Sequence, residues 1–288
     1  MLDEVAFSTI FEEEATRLDS PFEEEEVFGV IQGCNGDKSP GPDDFSMAFF
    51  KACWGFLKLE IMELLANFHL QAVFEKSFNA TFLVLIPKKV DVVNARDFRP
   101  ISLVGGIYKV ISKVLANRLR RVITGIISES QNALVLDRQI LDSVLIANEC
   151  LDGRLKAGIP GVLCKLDVEK VFDHVSWDFL MYLLQQCGFS EKWRKWILFC
   201  ISTVRFSILI NGTLKDFFGS SRGLCQGDRL SPLLIVIVME ALSCLLDGEV
   251  LVGHISGFTV GTRTNTPLMV THLLIADDML IFCDASIS

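Results

Sequence analysis

Three carboxylates lie beside apolar residues, where the stability of the fold alone would not favour a charged group. Asp167 lies near the end of the apolar string GVLCKLDV at residues 161–168, and Asp277 and Asp278 lie between the apolar strings LLIA and MLIF. Because burying an unpaired carboxylate costs several kcal/mol, such acids normally bind a cation or lie at an exposed tip. The three acids are therefore candidates for a cation site.

The spacing of these acids indicates which chemistry they could support. Asp167 and Asp277 are 110 residues apart, and each follows a short apolar run. Two such strands side by side would bring three carboxylates together, and hard oxygen ligands of this kind suit Mg²⁺ or Mn²⁺. Two ions about 4 Å apart serve in-line phosphoryl transfer. A plainer interpretation stays open, because aspartate favours turns and an Asp-Asp pair at a hairpin tip needs no ion.

Two strand patterns must position the acids. Residues 161–168 are a short apolar run, which predicts a buried strand ending near Asp167. HLLIADDMLIFC at residues 272–283 consists of two apolar runs joined at the two acids, which predicts a tight hairpin with Asp277 and Asp278 at its tip.

The remaining elements follow from apolar periodicity and turn residues. Residues 80–87 (ATFLVLIP) predict a strand ended by proline, followed by a loop over residues 88–103. Residues 204–218 predict a hairpin, because their central Asn-Gly pair is favoured in type I′ turns. Helices are predicted over residues 107–123, 177–187, 191–202 and 232–246.

Composition limits the class of protein. Half of the residues are hydrophobic and the mean hydropathy is +0.41, yet the apolar run at residues 233–239 is followed at once by Glu240. A membrane span needs about 20 apolar residues, so a buried helix is predicted there and no membrane partner is expected. The acidic N-terminus is unlike a secretory signal, and nine cysteines without a CxxC pair indicate reduced thiols. We therefore expect an intracellular protein, nuclear or cytoplasmic, that is not secreted.

The net charge of −9 is confined to one end of the chain. Residues 1–26 hold ten acids and one base, and the remaining residues carry equal numbers of acidic and basic side chains. Global charge therefore neither supports nor excludes a polyanionic partner.

The acidic strings resemble motifs of the reverse transcriptases of non-LTR (LINE-type) retrotransposons. LDVEKVFDHVSW at 166–177 resembles the first catalytic motif of that family, and IADD at 275–278 resembles the second. Further strings resemble the family's other motifs in the same order, namely DKSPGPD at 37–43, LIPKK at 85–89, FRPISL at 98–103 and GLCQGDRLSP at 223–232. The resemblance covers nearly the whole chain, and its wording is closest to plant-type elements.

The resemblance implies a role for each matching residue. Asp167 and Asp277 would hold two ions, Mg²⁺ or Mn²⁺, with Asp278 as a supporting carboxylate. Phe172 would be an aromatic gate that clashes with a ribose 2′-hydroxyl and so selects deoxynucleotides. The residues implied to bind the incoming dNTP are Lys88, Lys89, Arg99, Phe172, Gln226 and Gly227.

The resemblance also implies an architecture and an activity. The expected fold is α/β: the fingers and palm of a right-hand polymerase, with a small antiparallel palm sheet backed by helices and no thumb. Residues 1–80 would be an acidic extension leading into the fingers, and residues 81–288 the reverse transcriptase domain, with fingers over about 81–160 and palm over about 161–288. The implied activity is RNA-directed DNA synthesis on an RNA template from a DNA primer. The oligomeric state is left open.

Several residues differ from those that are usual in the family's motifs. Ile275 stands where an aromatic residue is usual, and Val171 replaces the usual alanine before the gate. Cys225 and Arg229 alter the loop between the acidic motifs, and Asp44 occupies the place of a usual glycine, which matters if that turn needs a positive φ.

Two other interpretations share these features. An RNA-dependent RNA polymerase would have similar acids but would accept ribonucleotides, and Phe172 and the IADD string speak against it. A catalytically inactive remnant of a retroelement would at most bind nucleic acid weakly, with a steep dependence on salt and no incorporation of nucleotides.

Overall fold

The computed structural model describes residues 5–260 and 268–285. The α-helices there are α1 (Glu12–Leu18), α2 (Glu24–Gln32), α3 (Met47–Ala52), α4 (Trp54–Gln71), α5 (Gly106–Ile126), α6 (Ile140–Ala157), α7 (Val171–His174), α8 (Trp177–Gln186), α9 (Glu191–Ser202) and α10 (Ser231–Leu251). The β-strands are β1 (Ala80–Pro87), β2 (Phe98–Val104), β3 (Gly161–Asp167), β4 (Arg205–Ile210), β5 (Thr213–Leu214), β6 (Phe218–Gly219), β7 (Phe258–Val260), β8 (Leu268–Val270), β9 (His272–Ile275) and β10 (Asp278–Asp284). The α/β class expected from the sequence is confirmed.

The chain divides into two compact units that do not follow chain order. Unit 1 takes its residues from Met1–Ile10, Arg120–Val171 and Pro232–Ser288. Unit 2 takes its residues from Phe11–Leu119 and Phe172–Ser231. The three acids belong to unit 1, and all the residues implied to bind the nucleotide belong to unit 2.

Unit 2 contains a mixed five-stranded sheet. Its strand order is β2-β1-β4-β5, with β6 also paired to β4. β1 is antiparallel to β2, with Pro87 opposite Phe98, and parallel to β4. The loop predicted over residues 88–103 is therefore wrong from Phe98 onward. Pro100 made this strand hard to recognise, and it is tolerated because β2 is an edge strand of the sheet.

The hairpin predicted from the Asn-Gly pair is confirmed in unit 2. Asn211 and Gly212 connect β4 to β5 and have φ values of +50° and +77°. Positive φ at both central residues is the type I′ geometry, whose twist matches that of the flanking strands.

The DKSPGPD string forms a turn that lies against the start of α5. The Asp43 carboxylate accepts a hydrogen bond from the first backbone N–H of α5, at Gly106, which satisfies a donor that the helix itself leaves free. A β-carbon at Gly41 would clash with the backbone of Val104, so this position needs glycine. Asp44 has a φ of +56°, so this turn does take a positive φ at the position where glycine is usual.

Unit 1 contains the three-stranded antiparallel sheet that carries the acids. Its strand order is β3-β10-β9. One face packs against α6, where Ala147 and Cys150 form a core with Leu273 and Phe282. The sheet's position against a helix explains the apolar runs on both sides of the acidic hairpin.

The prediction that residues 161–168 form a buried strand is wrong in one respect. The strand forms, but all seven residues of β3 are exposed, including Val162 at 54% and Leu163 at 41%. Within the described residues β3 pairs with β10 alone and is an edge of its sheet. An apolar run predicts a strand but does not determine which other elements of the fold cover it.

The apolar helix predicted over residues 232–246 forms as the longer α10. Its side chains from Leu233 to Ile237 are buried. In the part of the chain that the structure describes, no helix combines the length and the apolar character that crossing a bilayer requires.

Candidate functional site

The sheet register of unit 1 brings the acids together. Asp167, the last residue of β3, lies directly opposite Asp278, the first residue of β10. Directly opposed residues in antiparallel strands have Cα atoms about 4.5–5.5 Å apart, and their side chains project from the same face. Asp277 precedes Asp278 in the turn, so the sequence placed the hairpin correctly and its turn one residue too late.

The turn that carries Asp277 has an unusual backbone. Ile275 pairs with Asp278, so Ala276 and Asp277 form a two-residue loop. Ala276 has a φ of +57°, whereas Asp277 does not have a positive φ. A positive φ at the first loop residue alone is the type II′ pattern, which normally takes glycine. Ala276 therefore holds a disfavoured conformation next to a candidate metal ligand.

The side chains of the acids do not yet converge. Lys165 Nζ lies 3.4 Å from Asp278 Oδ1, and Lys165 projects from the same face of β3 as Asp167. Across residues 5–260 and 268–285, no group of three or more His, Cys, Asp or Glu side chains is arranged to hold a metal ion. The donor set, three carboxylates in adjacent positions, fits a hard divalent cation. The strand register thus brings Asp167 and Asp278 into adjacent positions, while the Asp278 carboxylate is paired with a lysine.

A residue that no sequence pattern marks, Gln131, contacts the acidic turn. The Gln131 side chain is fully buried, and its carboxamide binds both the N–H and the carbonyl oxygen of Ala276. Gln131 lies in the irregular segment between α5 and α6, where no periodicity or motif marks it.

Three of the predicted nucleotide ligands lie on the β1–β2 hairpin of unit 2. Lys88, Lys89 and Arg99 are all exposed. Lys88 Nζ donates to the Arg96 carbonyl oxygen at 3.3 Å, and Lys89 Nζ lies 3.0 Å from Asp97 Oδ1. The hairpin therefore presents several cationic groups to solvent, which is compatible with binding a polyphosphate.

The other predicted ligands lie in one backbone network of unit 2. The Phe172 carbonyl oxygen accepts a hydrogen bond from the N–H of Leu224 at 2.7 Å. Two residues further on, the Gln226 carbonyl oxygen accepts from the N–H of Ser102 at 2.8 Å. Gly227 has a φ of +118°, and a β-carbon there would lie 2.9 Å from the Ser102 carbonyl oxygen. The close approach to Ser102 of β2 therefore requires glycine at position 227, independently of any role in binding a nucleotide.

A cavity of about 240 Å³ opens beside this network within unit 2. Of the predicted nucleotide ligands, Gln226 lines it, and Asp173 next to Phe172 does so as well. The other lining residues are Leu83, Pro100, Ser102, Ile201, Phe206, Phe218, Ser220, Arg222, Gly223, Leu224 and Cys225. The cavity combines apolar walls with a few polar groups, as small-molecule sites usually do.

Asp228 is a second residue whose role the sequence did not reveal. Its buried carboxyl group accepts hydrogen bonds from the N–H groups of Leu230 and Ser231 and from the Tyr108 hydroxyl. Burial raises the pKa of Asp228, and these hydrogen bonds partly oppose the rise. The aspartate of the QGD string therefore fixes the end of the loop that carries Gln226.

The residues that differ from the family's usual motif sequences vary in burial. Val171 and Cys225 are buried, and burial raises the pKa of the Cys225 thiol. Arg229 is exposed. Ile275 is partly buried at the start of the acidic turn.

Comparison with known proteins places these features in context. Residues 86–287 match the family described as "Reverse transcriptase (RNA-dependent DNA polymerase)". The chain is 28% identical over 237 residues to the "Transposon TX1 uncharacterized 149 kDa protein" of Xenopus laevis, covering 82% of this chain and 18% of that protein.

Two insect proteins are similar over much of the chain. The "Retrovirus-related Pol polyprotein from type-1 retrotransposable element R2" of Popillia japonica is 28% identical over 69% of this chain and 27% of its own length. The "Retrovirus-related Pol polyprotein from type-2 retrotransposable element R2DM" of Drosophila melanogaster is 27% identical over 85% of this chain and 22% of its own length. The chain thus spans less than a third of each of these relatives.

Proposed function

Because the chain belongs to the reverse transcriptase (RNA-dependent DNA polymerase) family, we propose that it extends a DNA primer on an RNA template, with Asp167, Asp277 and Asp278 at the catalytic centre. The resemblance to LINE-type reverse transcriptases is confirmed by this family match together with the retrotransposon relatives. Activity, the metal ions and the individual roles of the residues are parts of the proposal.

The register between β3 and β10 is the observation that carries the proposal. It pairs Asp167 with Asp278, although 110 residues separate Asp167 from Asp277 in sequence. A chance Asp-Asp turn would not be expected to meet a third carboxylate in this way. The plainer interpretation, that the acids occur there because aspartate favours turns, accounts for Asp277 but not for Asp167.

The proposed chemistry is a two-metal nucleotidyl transfer. Two Mg²⁺ or Mn²⁺ ions would lower the pKa of the primer 3′-hydroxyl and neutralise charge on the triphosphate. Asp167 and Asp277 would hold the ions, and Asp278 would add a supporting carboxylate once it is released from Lys165. Asp167 is exposed and Asp278 is partly exposed, so substrates could reach both carboxylates from solvent.

The residues of unit 2 would bind the incoming dNTP. Lys88, Lys89 and Arg99 would contact the triphosphate, because a guanidinium offers two parallel donors to phosphate oxygens and an ammonium offers a point charge. Phe172 would exclude a ribose 2′-hydroxyl. Gln226 would pack against the sugar and base, with Gly227 allowing the backbone to come close.

The architecture would be the fingers and palm of a right-hand polymerase. In this assignment the sheet β3-β10-β9, backed by α6, is the palm sheet, and the β1–β2 hairpin belongs to the fingers. The boundaries expected from the sequence, with fingers over about 81–160 and palm over about 161–288, stay predictions. An intracellular location, nuclear or cytoplasmic, likewise stays a prediction.

A second candidate is a remnant that binds nucleic acid without synthesis. The ion pair between Lys165 and Asp278 favours it, because a lysine at this position competes with a cation for the same carboxylate. Ile275, which replaces an aromatic residue at the turn, favours it as well.

Primer extension on an RNA template tests the proposal. The full chain is incubated with a labelled DNA primer annealed to RNA, the four dNTPs, and Mg²⁺ or Mn²⁺ in parallel. We expect metal-dependent extension that Asp167→Asn or Asp277→Asn lowers by at least about 100-fold, since loss of a metal ligand weakens the charge stabilisation that the ions give the transition state. Extension that survives both substitutions would refute the assignment of the acids.

Two controls separate the candidates. Asp152→Asn makes the same change of charge at an exposed residue of α6, and it should leave extension unchanged. Parallel reactions with ribonucleoside triphosphates distinguish an RNA polymerase, and Phe172→Ala should increase their use if this ring is the gate. Salt-sensitive binding of primer–template with no extension by the wild type would identify the remnant.

A further inference from the structure

The Gln131 carboxamide forms a two-point contact with the turn that carries Asp277. Its Nε2 atom donates to the Ala276 carbonyl oxygen at 3.0 Å, and its Oε1 atom accepts from the Ala276 N–H at 2.9 Å. The side chain is fully buried, so water cannot readily replace either bond. One planar group therefore binds both peptide groups that flank Ala276.

The segment that carries Gln131 is itself held firmly. The N–H of Leu274 donates to the Ser130 carbonyl oxygen at 2.7 Å, which joins the segment to β9. The Arg138 guanidinium donates to the carbonyl oxygens of Ile127 at 3.0 Å and of Gln131 at 2.8 Å, and also to that of Ser128. A side chain on a segment fixed in this way can hold its partner in one position.

The turn has a physical need for this contact. Ala276 has a φ of +57°, a region that a β-carbon disfavours. Its N–H fixes the peptide before it, and its carbonyl oxygen fixes the peptide that leads into Asp277. With both peptides bonded to Gln131, the two backbone torsions of Ala276 are set, and so is the position of the Asp277 Cα atom.

We propose that Gln131 is a positioning residue that holds Ala276 in its left-handed conformation and thereby sets Asp277 for catalysis. The proposal rests on the function proposed above, in which Asp277 is a metal ligand. It assigns Gln131 no contact with substrate. Gln131 acts through the backbone of the turn alone.

The contact requires a carboxamide. An ionised glutamate of the same shape can accept from the Ala276 N–H but cannot donate to its carbonyl oxygen, and it would place like partial charges together. Alanine can do neither. Gln131→Glu therefore tests the donor at nearly constant volume, and Gln131→Ala tests the whole contact.

Asn132 provides a matched control in the same segment. It is also a buried amide, but its Nδ2 atom donates to Ser143 Oγ at 2.8 Å and does not contact Ala276. Asn132→Ala should lower stability through a lost buried hydrogen bond while leaving the turn intact.

The first measurement needs no activity. Hydrogen exchange of the peptide spanning residues 272–280 is followed in the full chain under native conditions. Gln131→Ala should raise exchange at the turn by about tenfold to 100-fold relative to Asn132→Ala, because a local opening no longer breaks these two bonds, and Gln131→Glu, which loses only the bond to the Ala276 carbonyl oxygen, should raise it by about threefold to tenfold. Exchange at the turn equal to that of Asn132→Ala would overturn the proposal, and the nearly isosteric Gln131→Glu keeps the test decisive if Gln131→Ala fails to fold.

The second measurement links the contact to catalysis. We expect Gln131→Ala to lower kcat for single-nucleotide incorporation by about 100-fold, as for other misplaced catalytic groups, with KM for the dNTP changed less than about threefold. In an Ala276→Gly background the same substitution should cost less than about tenfold, because glycine adopts positive φ without support. A loss of equal size in both backgrounds, or a loss confined to KM, would contradict positioning through Ala276.

The two measurements also separate the two proposals. If the wild type incorporates no nucleotide and Asp277→Asn leaves Mn²⁺ binding unchanged, the proposed function fails, and with it the catalytic meaning of Gln131. Hydrogen exchange at the turn would still decide whether Gln131 holds Ala276. If extension depends on Asp277 but not on Gln131, the proposed function stands and the positioning role is wrong.

Discussion

Lys165 Nζ lies 3.4 Å from Asp278 Oδ1, across the two strands that bring Asp278 opposite Asp167. In the proposed catalytic centre, a divalent cation would have to compete with this ammonium for the Asp278 carboxylate. Because both partners are largely exposed, the ion pair itself is worth little in a high-dielectric surrounding. It can nevertheless compete with a metal ion for the carboxylate.

Removing this lysine should tighten binding of a divalent ion. We expect Lys165→Gln to increase the affinity for Mn²⁺ by about two- to fivefold, the equivalent of an exposed ion pair. The measurement is a Mn²⁺ titration followed by electron paramagnetic resonance, with Asp277→Asn to identify the site. Lys156→Gln, which removes the exposed lysine paired with Asp152 on α6, is the control and should have no effect. Weaker binding after Lys165→Gln would mean that the lysine supports the site.

Asp44 offers a test of backbone strain. Its φ of +56° is a conformation that glycine adopts without a steric penalty. We expect Asp44→Gly to raise the free energy of unfolding by about 0.5–1 kcal/mol, although glycine also gains entropy in the unfolded chain. Urea denaturation measures this change. Asp44→Ala, which removes the carboxyl group but keeps the β-carbon, should give no gain, and equal stabilisation by both substitutions would contradict the strain argument.

The sequence predicted the elements of the site better than their surroundings. Local patterns predicted the acidic hairpin, the type I′ turn at Asn211 and the helix α5. Turn preferences and apolar periodicity depend only on residues that are close together in the sequence. The pairing of Asp167 with Asp278 could be expected only by supposing that two distant strands are neighbours. Sequence spacing alone cannot fix the register between strands so far apart.

Other features depended on contacts that no local pattern records. The exposure of β3 reflects the neighbours present beside it, and the strand at β2 was hidden by Pro100. Gln131 and Asp228 act through single hydrogen-bonded contacts with backbone groups far away in sequence. A single polar residue in a loop belongs to no sequence pattern that would identify its hydrogen-bond partner elsewhere in the chain.

Cys164 tests the exposure of β3. It lies in the middle of that strand and is exposed, whereas Cys150, Cys187 and Cys200 are buried. Burial raises the pKa of the Cys150 thiol to about 11 and also raises the pKa of Cys200, so these thiols should react slowly. We expect a thiol-specific reagent to label Cys164 first under native conditions, and Cys164→Ser to remove the fastest phase. Labelling of Cys164 only after unfolding would show that this strand is covered in solution.

Glu240 should make the stability of the protein depend on pH. It is a buried residue of α10 that accepts hydrogen bonds from the N–H and Oγ of Ser128 at 3.0 and 3.1 Å. Burial raises its pKa from 4.5 to about 7, and these hydrogen bonds partly oppose the rise. Between these two pH values the folded protein holds a proton that the unfolded chain has lost, so the stabilisation is complete below about pH 4.5 and is lost as the pH rises through about 7.

Glu240→Gln should therefore flatten this dependence. From about pH 5 to pH 8 we expect the free energy of unfolding of the wild type to fall by about 2 kcal/mol more than that of the variant. His272 acts in the opposite direction, because burial lowers its pKa and stability then rises with pH up to about its ordinary value of 6.5. The difference between wild type and variant reports Glu240 together with its effect on His272, because Ser128 and Ser243 link the two side chains by hydrogen bonds. Urea denaturation across this range gives the measurement, and Glu60→Gln, at an exposed position of α4, should keep the slope of the wild type. Parallel curves for the wild type and Glu240→Gln would show that Glu240 is ionised in the folded protein throughout the range.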